Sequence, residues 1–434
     1  MPPIMKRKMA EHAACSALSL MTHEAEGCPT RRPSIKETVP CVEGMAGEYA
    51  CEGVDLLSFV SVADMATDGT NDIWGWTDPI NGNEIALVAL RDGTSFVDVT
   101  DPNTPCILGK MDTHTTPSSW RDIKVFRDVA YVGSEATGHG LQIFDLTELR
   151  EHYGSCTVGS ADMRILHETN HYDEFGSSHN VALNTDTGFA YVIGSGTCNS
   201  GSHMLDLSDP INPTFAGCVD QDGYTHDNEC VSYRGPDVEF QGREICFDYN
   251  ENTLTIVDVT DKSNPEQLSR TGYDNVYYTH QGWLNTDQTH LFLDDELDES
   301  RGPNPNTRTM IWDVRSLRDP ILHDSYFSEF TVIDHNQYVN GSFVFQSNYC
   351  SGLQVLAIDE SGEHPVLSRA GYLDNAPDCD TPQFSGSWSN FPYFASGNIV
   401  FTSIERGLYV ADASAAMEAA IRDGKAKKHK KKGE

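Results

Sequence analysis

The chain has 434 residues, with 65 acidic against 30 basic side chains and a formal net charge of -35. Its last ten residues, KAKKHKKKGE, hold six Lys, so the rest of the chain is more acidic still. That balance excludes nucleic acid as a partner of the main body, because phosphate binding needs clustered Lys and Arg. No run of 18 apolar residues is present, so no helix is expected to span a membrane.

Residues 1–40 lack apolar periodicity and read as a leader or a disordered arm. Lys6, Arg7 and Lys8 could open a signal peptide, but Glu11 and His12 fall where such a segment is apolar, so the signal is not convincing. The first strand is expected at 54–62 (VDLLSFVSV). From there to about residue 410, short runs rich in Val, Ile, Tyr, Phe and Thr alternate with Gly, Asn, Asp and Pro. Residues 414–422 (SAAMEAAIR) form the clearest helix, and 146–153 suggest one more helical turn inside an insertion.

One strand–turn unit recurs. Its best copies are TSFVDVTDPNTP at 94–105, SHMLDLSDPINP at 202–213 and LTIVDVTDKSNP at 254–265. Weaker copies are LQIFDLT, TMIWDVRSLRDP, LQVLAID and LYVADAS, which makes seven. A second motif precedes each copy, starting at Asp72, Asp122, His179, His226, His280, His335 and Ser389, at intervals of 47 to 57 residues. A middle strand lies between the two motifs, and a return strand follows the turn. Four strands in about 50 residues cannot bury both faces alone, so such units stack on one another, and radial closure is the β-propeller solution. The expected fold is an all-β seven-bladed propeller closed by the N-terminal strand, with a short C-terminal helix and a basic tail. The propeller is expected over 41–413, and the helix and tail over 414–434. A monomer is expected.

The passages NDIWGWTDPINGNEIALVALRDGTSFVDVTDP, SSWRDIKVF, SEATGHGLQIFDL, SHNVALN, MLDLSDPINPTFAGC and YTHDNEC resemble the choice-of-anchor B family, and the strand motif resembles the LVIVD repeat. The resemblance runs from about Cys41 to Asp412. It implies a secreted, surface-displayed propeller, tethered in bacteria by varied C-terminal sorting signals, with no established catalytic activity. The Lys-rich tail departs from such a sorting signal.

Twelve cysteines without a CxxC pair suit disulfides and an oxidising, extracellular or cell-surface location. The expected pairs are Cys41 with Cys51, Cys198 with Cys218, and Cys230 with Cys246. If the upstream motif is the inner strand of each blade, Asp72, Asp122, His179, His226, His280 and His335 approach one ring in the channel. Imidazoles and carboxylates there suit Zn, Mn or another divalent metal. The same residues could instead lock neighbouring blades through backbone hydrogen bonds.

A second acidic set follows the middle strands: Glu135, Asp248, Asp294, Asp295, Glu296 and Glu405. Oxygen-rich loops of this kind are candidates for Ca²⁺, against the plainer reading of solvated acidic loops around the opposite mouth. The repeated Asp before each turn (Asp98, Asp145, Asp206, Asp258, Asp313 and Asp412) is read as a backbone cap. His167 and His171 satisfy HExxH spacing, but the surrounding segment, read as a loop-rich insertion between blades two and three, lacks the helix that zinc-protease chemistry requires. Two functions therefore stand at the level of sequence. The first is a non-catalytic binding or adhesion module for a protein or glycan partner. The second is a metal-dependent, lactonase-like hydrolase using the channel His/Asp ring.

Overall fold

A computed structural model describes residues 33–427. Seven sheets of four or more strands stand around one channel. Their inner strands are Thr70–Thr77, Arg121–Phe126, Asn180–Asn184, Asp227–Ser232, Thr279–Leu284, Gln337–Asn340 and Ser387–Phe391. Each packs on the next, and the seventh packs on the first. Within each blade, the three innermost strands follow chain order outward and are antiparallel. The strands show why the repeats fold this way. Middle strands such as Glu84–Leu90 (EIALVAL) and His290–Asp295 (HLFLDD) are buried along their whole length, because both faces meet neighbouring blades.

The ring closes as the sequence predicts. Strand Asp55–Ser61 pairs antiparallel with Gly407–Asp412, in the register Phe59 to Tyr409 and Val60 to Leu408, and so forms the outer strand of blade seven. Thr402 Oγ1 donates to the Asn71 carbonyl at 2.6 Å, and Thr70 Oγ1 donates to the Ser403 carbonyl at 2.7 Å, joining blade seven to blade one. Gly75 permits the close approach at this seam, since a Cβ there would lie 2.2 Å from the Phe391 ring.

Leu56, Phe59 and Val60 are buried. Each contributes about 1.5–3 kcal/mol, against a usual domain stability of roughly 5–15 kcal/mol. A chain starting at residue 62 is therefore expected to lose its cooperative thermal transition by circular dichroism. A melt within a few degrees of the full-length chain would contradict the closure.

Two expectations are corrected. Residues 33–40 are not a free arm, because Ile35 bridges to Phe59 and Val39 to Leu56, extending the closing blade; residues 1–32 lie outside the described residues. The insertion after residue 145 does not separate blades two and three. It returns to supply Ile165–Leu166 to blade one and then Asn170–Tyr172 as the outer strand of blade two. His171 therefore sits on a strand, and Glu168 binds His114 Nδ1 at 2.8 Å and Gln142, so the HExxH spacing has no zinc-protease geometry. The helix Ser414–Arg422 forms as expected and buries Ala416 and Ala420 beside blades six and seven.

All three expected disulfides form, joined by Cys106–Cys156, which ties the insertion to blade one, and by Cys350–Cys379. Cys15 and Cys28 lie outside the described residues. The repeated Asp residues cap turns: Thr100, Thr147, Ser208, Thr260, Arg315 and Ser414 each donate a backbone N–H to the Asp two residues earlier, at 2.7–3.0 Å.

Candidate metal centre at the channel mouth

The inner strands begin at one mouth of the channel, and there the predicted ring divides in two. The division follows from register. Asp72 Oδ2 accepts the Ile123 N–H at 3.0 Å, Asp122 Oδ2 accepts the Val181 N–H at 2.5 Å, and Gln281 Oε1 accepts the Gln337 N–H at 3.0 Å. Each bond joins a side chain of one blade to the same backbone position of the next. Asp72, Asp122 and Gln281 are therefore equivalent, and the histidines stand one residue earlier. In blades one and two that earlier position is held by Asn71 and Arg121. In a strand a one-residue step turns the side chain to the other face. Asp72 and Asp122 are thus blade locks and do not join the imidazoles.

Lys124 lies between the two locks, 2.6 Å from Asp122 and 3.3 Å from Asp72. Burial pushes the Asp122 carboxyl well above its usual range. Burial is the largest influence on Asp72 and works against its charge, but Lys124 together with hydrogen bonds from Asp122, Ser389 and the Ile123 N–H holds that carboxyl below the usual range. Replacing Lys124 by Met would leave two buried carboxylates without their cation. A loss of about 3–5 kcal/mol in urea unfolding is expected, and a loss below about 1 kcal/mol would contradict this role.

The four histidines do come together. Neighbouring ring centroids are 4.4 Å apart for His179–His226, 4.3 Å for His226–His280 and 4.5 Å for His280–His335. All four are at most 7% exposed. His226 Nδ1 donates to the His280 carbonyl at 2.9 Å and His335 Nδ1 to the Trp388 carbonyl at 2.5 Å, both on the next blade. A carbonyl only accepts, so these bonds fix the proton on Nδ1 and the lone pair on Nε2. His280 Nδ1 donates to Asp294 Oδ1 at 3.1 Å, and His179 Nδ1 to Glu135 Oε1 at 2.7 Å. His179 Nε2 and His226 Nε2 lie 2.8 Å apart.

Glu296 completes the arrangement. Its Oε1 is 3.6 Å from His335 Nε2 and 4.0 Å from His280 Nε2, and it accepts a hydrogen bond from Tyr349 Oη at 2.8 Å. Ligand atoms held at 2.0–2.1 Å by one ion are about 3.3 Å apart in a tetrahedron and about 4.1 Å apart when opposite. The observed separations fall within that range. A collar that includes Trp120, Tyr278, Tyr349, Phe384 and Trp388 covers this mouth.

The second acidic set lies at this same mouth and not the opposite one. Middle strands run antiparallel to inner strands, so their ends lie beside the inner strands' starts, as the pairing of Thr279 with Asp295 and of Asp227 with Tyr249 shows. Nor are these acids solvated. Asp248, Asp294, Asp295 and Glu296 are at most 1% exposed. Asp295 is satisfied by the N–H groups of Tyr277 and Tyr278 and by Tyr273 Oη. Asp248 accepts from Asn228, and Glu405 from the Gly386 N–H. Burial raises the carboxyls of Asp294, Asp295 and Glu405, and pushes Asp248 up to about 7. A Ca²⁺ site would need several of these oxygens turned to one point. Instead the set divides into acceptors of backbone N–H groups, histidine partners, and Asp248, which accepts from the Asn228 side chain.

Among the described residues one further trio, His290, Asp313 and His364, has ligand atoms within 4.8 Å of one another. There Arg315 Nε already lies 2.9 and 3.0 Å from the two oxygens of Asp313, so a guanidinium holds the carboxylate a metal would need.

No family model matches the chain, and no curated protein matches it. Among solved structures, the β-propeller domain of Cps50 (Swd1) from Myceliophteria thermophila is 10% identical, with a TM-score of 0.47 over 76% of this chain and 93% of that one. A protein from Lactobacillus plantarum is 13% identical, with a TM-score of 0.47 over 77% and 89%. A functionally unknown protein from Desulfotomaculum acetoxidans is 10% identical, with a TM-score of 0.46 over 73% and 91%. The assignment of seven blades rests on the sheets themselves.

Proposed function

We propose that this propeller holds one divalent transition-metal ion at the mouth where its inner strands begin, ligated by His280, His335 and Glu296, and uses it for metal-assisted hydrolysis of a small ester- or lactone-like substrate. The observation that carries this reading is the commitment of Nδ1. On His280 and His335 that nitrogen donates to a carboxylate and to a carbonyl, respectively, which is how metal-ligating histidines are oriented and made more basic. Imidazole with one carboxylate favours Zn or Mn over Ca. A metal so held would supply Lewis-acid chemistry, polarising a substrate carbonyl and activating water at neutral pH. The aromatic collar limits the substrate to a small molecule and keeps bulk water out.

The five disulfides among the described residues suit oxidising surroundings. The choice-of-anchor B likeness adds surface display to this reading.

The test is hydrolysis of p-nitrophenyl acetate and of an acyl lactone by protein loaded with Zn²⁺ or Mn²⁺. Turnover that disappears on chelation and in Glu296→Gln is the expected result. Protein that retains metal yet turns over neither substrate would overturn the catalytic part.

A further inference from the structure

The inner strands end around a second concave site, which the metal centre does not use. A cavity of about 320 Å³ lies there, reached by strands of blades one to six. Three aromatic side chains, Trp74, Trp283 and Tyr338, stand in its wall. Trp74 and Trp283 both stand edge-on to Tyr338, at 5.6 Å and 74° and at 4.9 Å and 71° respectively. Both indoles are only half-buried.

The charges of this cavity are unevenly matched. The Lys124 ammonium lies 4.7 Å over the Trp74 ring, so that face already accommodates a cation. Its charge is taken up by Asp122 and Asp72. At the rim, Arg234 is paired with Asp186. Asp227 and Glu229 also line the cavity, and among the described residues neither forms an ion pair with Lys or Arg. Each gives one oxygen to a backbone N–H, of Asn228 and of Leu284, both at 2.7 Å. Two acids and three aromatic rings thus face one cavity whose own cations are already committed. The geometry points to a binding site for a small organic cation, an ammonium on an aromatic or apolar body, seated against Trp74, Trp283 and Tyr338 with its charge on Asp227 and Glu229.

An anion is opposed by the acids. A sugar would use the same ring faces but, being neutral, would displace no proton from the two carboxyls. Burial pushes Asp227 up to about 7 and Glu229 up to about 8. The ionisable groups around them are Lys124, Asp72, Asp122, His179, Asp248, Tyr224, Tyr249, Tyr393 and the Arg234–Asp186 pair. An entering ammonium therefore displaces protons, and binding tightens as pH rises towards 8. This site gives the binding-module reading of the sequence a definite place, and it does not rest on the metal centre.

The experiment is calorimetric titration of the full chain with tyramine and with methyl β-glucoside, in buffers of differing ionisation enthalpy. Tyramine is expected to bind about tenfold more tightly near pH 8 than near pH 6, with proton release. Asp227→Asn and Glu229→Gln should each weaken binding about tenfold or more while the thermal melt shows a folded protein. The double variant His280→Ala, His335→Ala should leave tyramine binding unchanged, which separates this site from the metal centre. Glucoside bound without proton release, neither probe bound, or tyramine binding indifferent to the two acid variants would each overturn the proposal.

Discussion

The melting temperature of the metal-free protein is expected to fall as pH rises from about 5 to about 8. The cause is a set of carboxyls that burial holds in the acid form. Asp227, Asp248 and Asp298 are raised from 3.8 to about 7, Glu229 from 4.5 to about 8, and Asp374 from 3.8 to about 6. Below about pH 4 both folded and unfolded chains hold these protons, and nothing is lost. Above it the unfolded chain releases protons that the folded chain keeps, so each further pH unit favours unfolding by about 1.4 kcal/mol per group. The loss ends once pH passes the folded values, near 8. A single group raised by three units amounts to about 4 kcal/mol, a large part of a typical domain's stability. At the acid end Asp78, held down to about 2 chiefly by its Arg150 hydrogen bond, loses its contribution as pH falls. Stability should therefore peak on the acid side of neutrality. A melting temperature that is flat or rising between pH 5 and 8 would contradict the buried-carboxyl account.

Replacing His280 and His335 together by Ala carries the second large effect. Outer-shell partners of a metal usually alter its affinity by about 10–100-fold. Removing two ligands should exceed that, with Zn²⁺ affinity falling more than about 100-fold. His335 also bonds the Trp388 carbonyl, so some stability is lost with it. Glu296→Gln keeps the shape of the cluster and isolates ligation from folding. It should weaken Zn²⁺ binding while the apo protein still melts cooperatively. Equal affinity in all three proteins would place the metal elsewhere.

Much of this fold was legible because each repeat carries its own boundary. The apolar strand ending in Asp, followed by a capped turn, marks the third strand of every blade, and seven of them imply closure. The partnerless strand at 54–62 found its place for the same reason, since blade seven lacked an outer strand. The site was harder to read. Aligning the upstream motifs on their first polar residue put Asp72 and Asp122 level with the histidines, and only the hydrogen bonds to Ile123 and Val181 show that they stand one residue further on. That slip separates a ligand from a lock, and no composition signal records it. Antiparallel pairing could have placed Glu135, Asp294 and Glu296 beside the histidines, because the end of a middle strand must adjoin the start of its inner strand. The solvated-loop reading failed because runs such as LDDEL look exposed in sequence, whereas here neighbouring blades cover them.

The most direct measurement is elemental mass spectrometry of the full chain after loading with Zn²⁺ or Mn²⁺ and desalting, run beside the His280→Ala, His335→Ala variant. The account predicts one tightly held transition-metal ion per chain and none in the variant. A folded wild-type protein that retains no metal would contradict it, and would leave the four histidines as joints between blades.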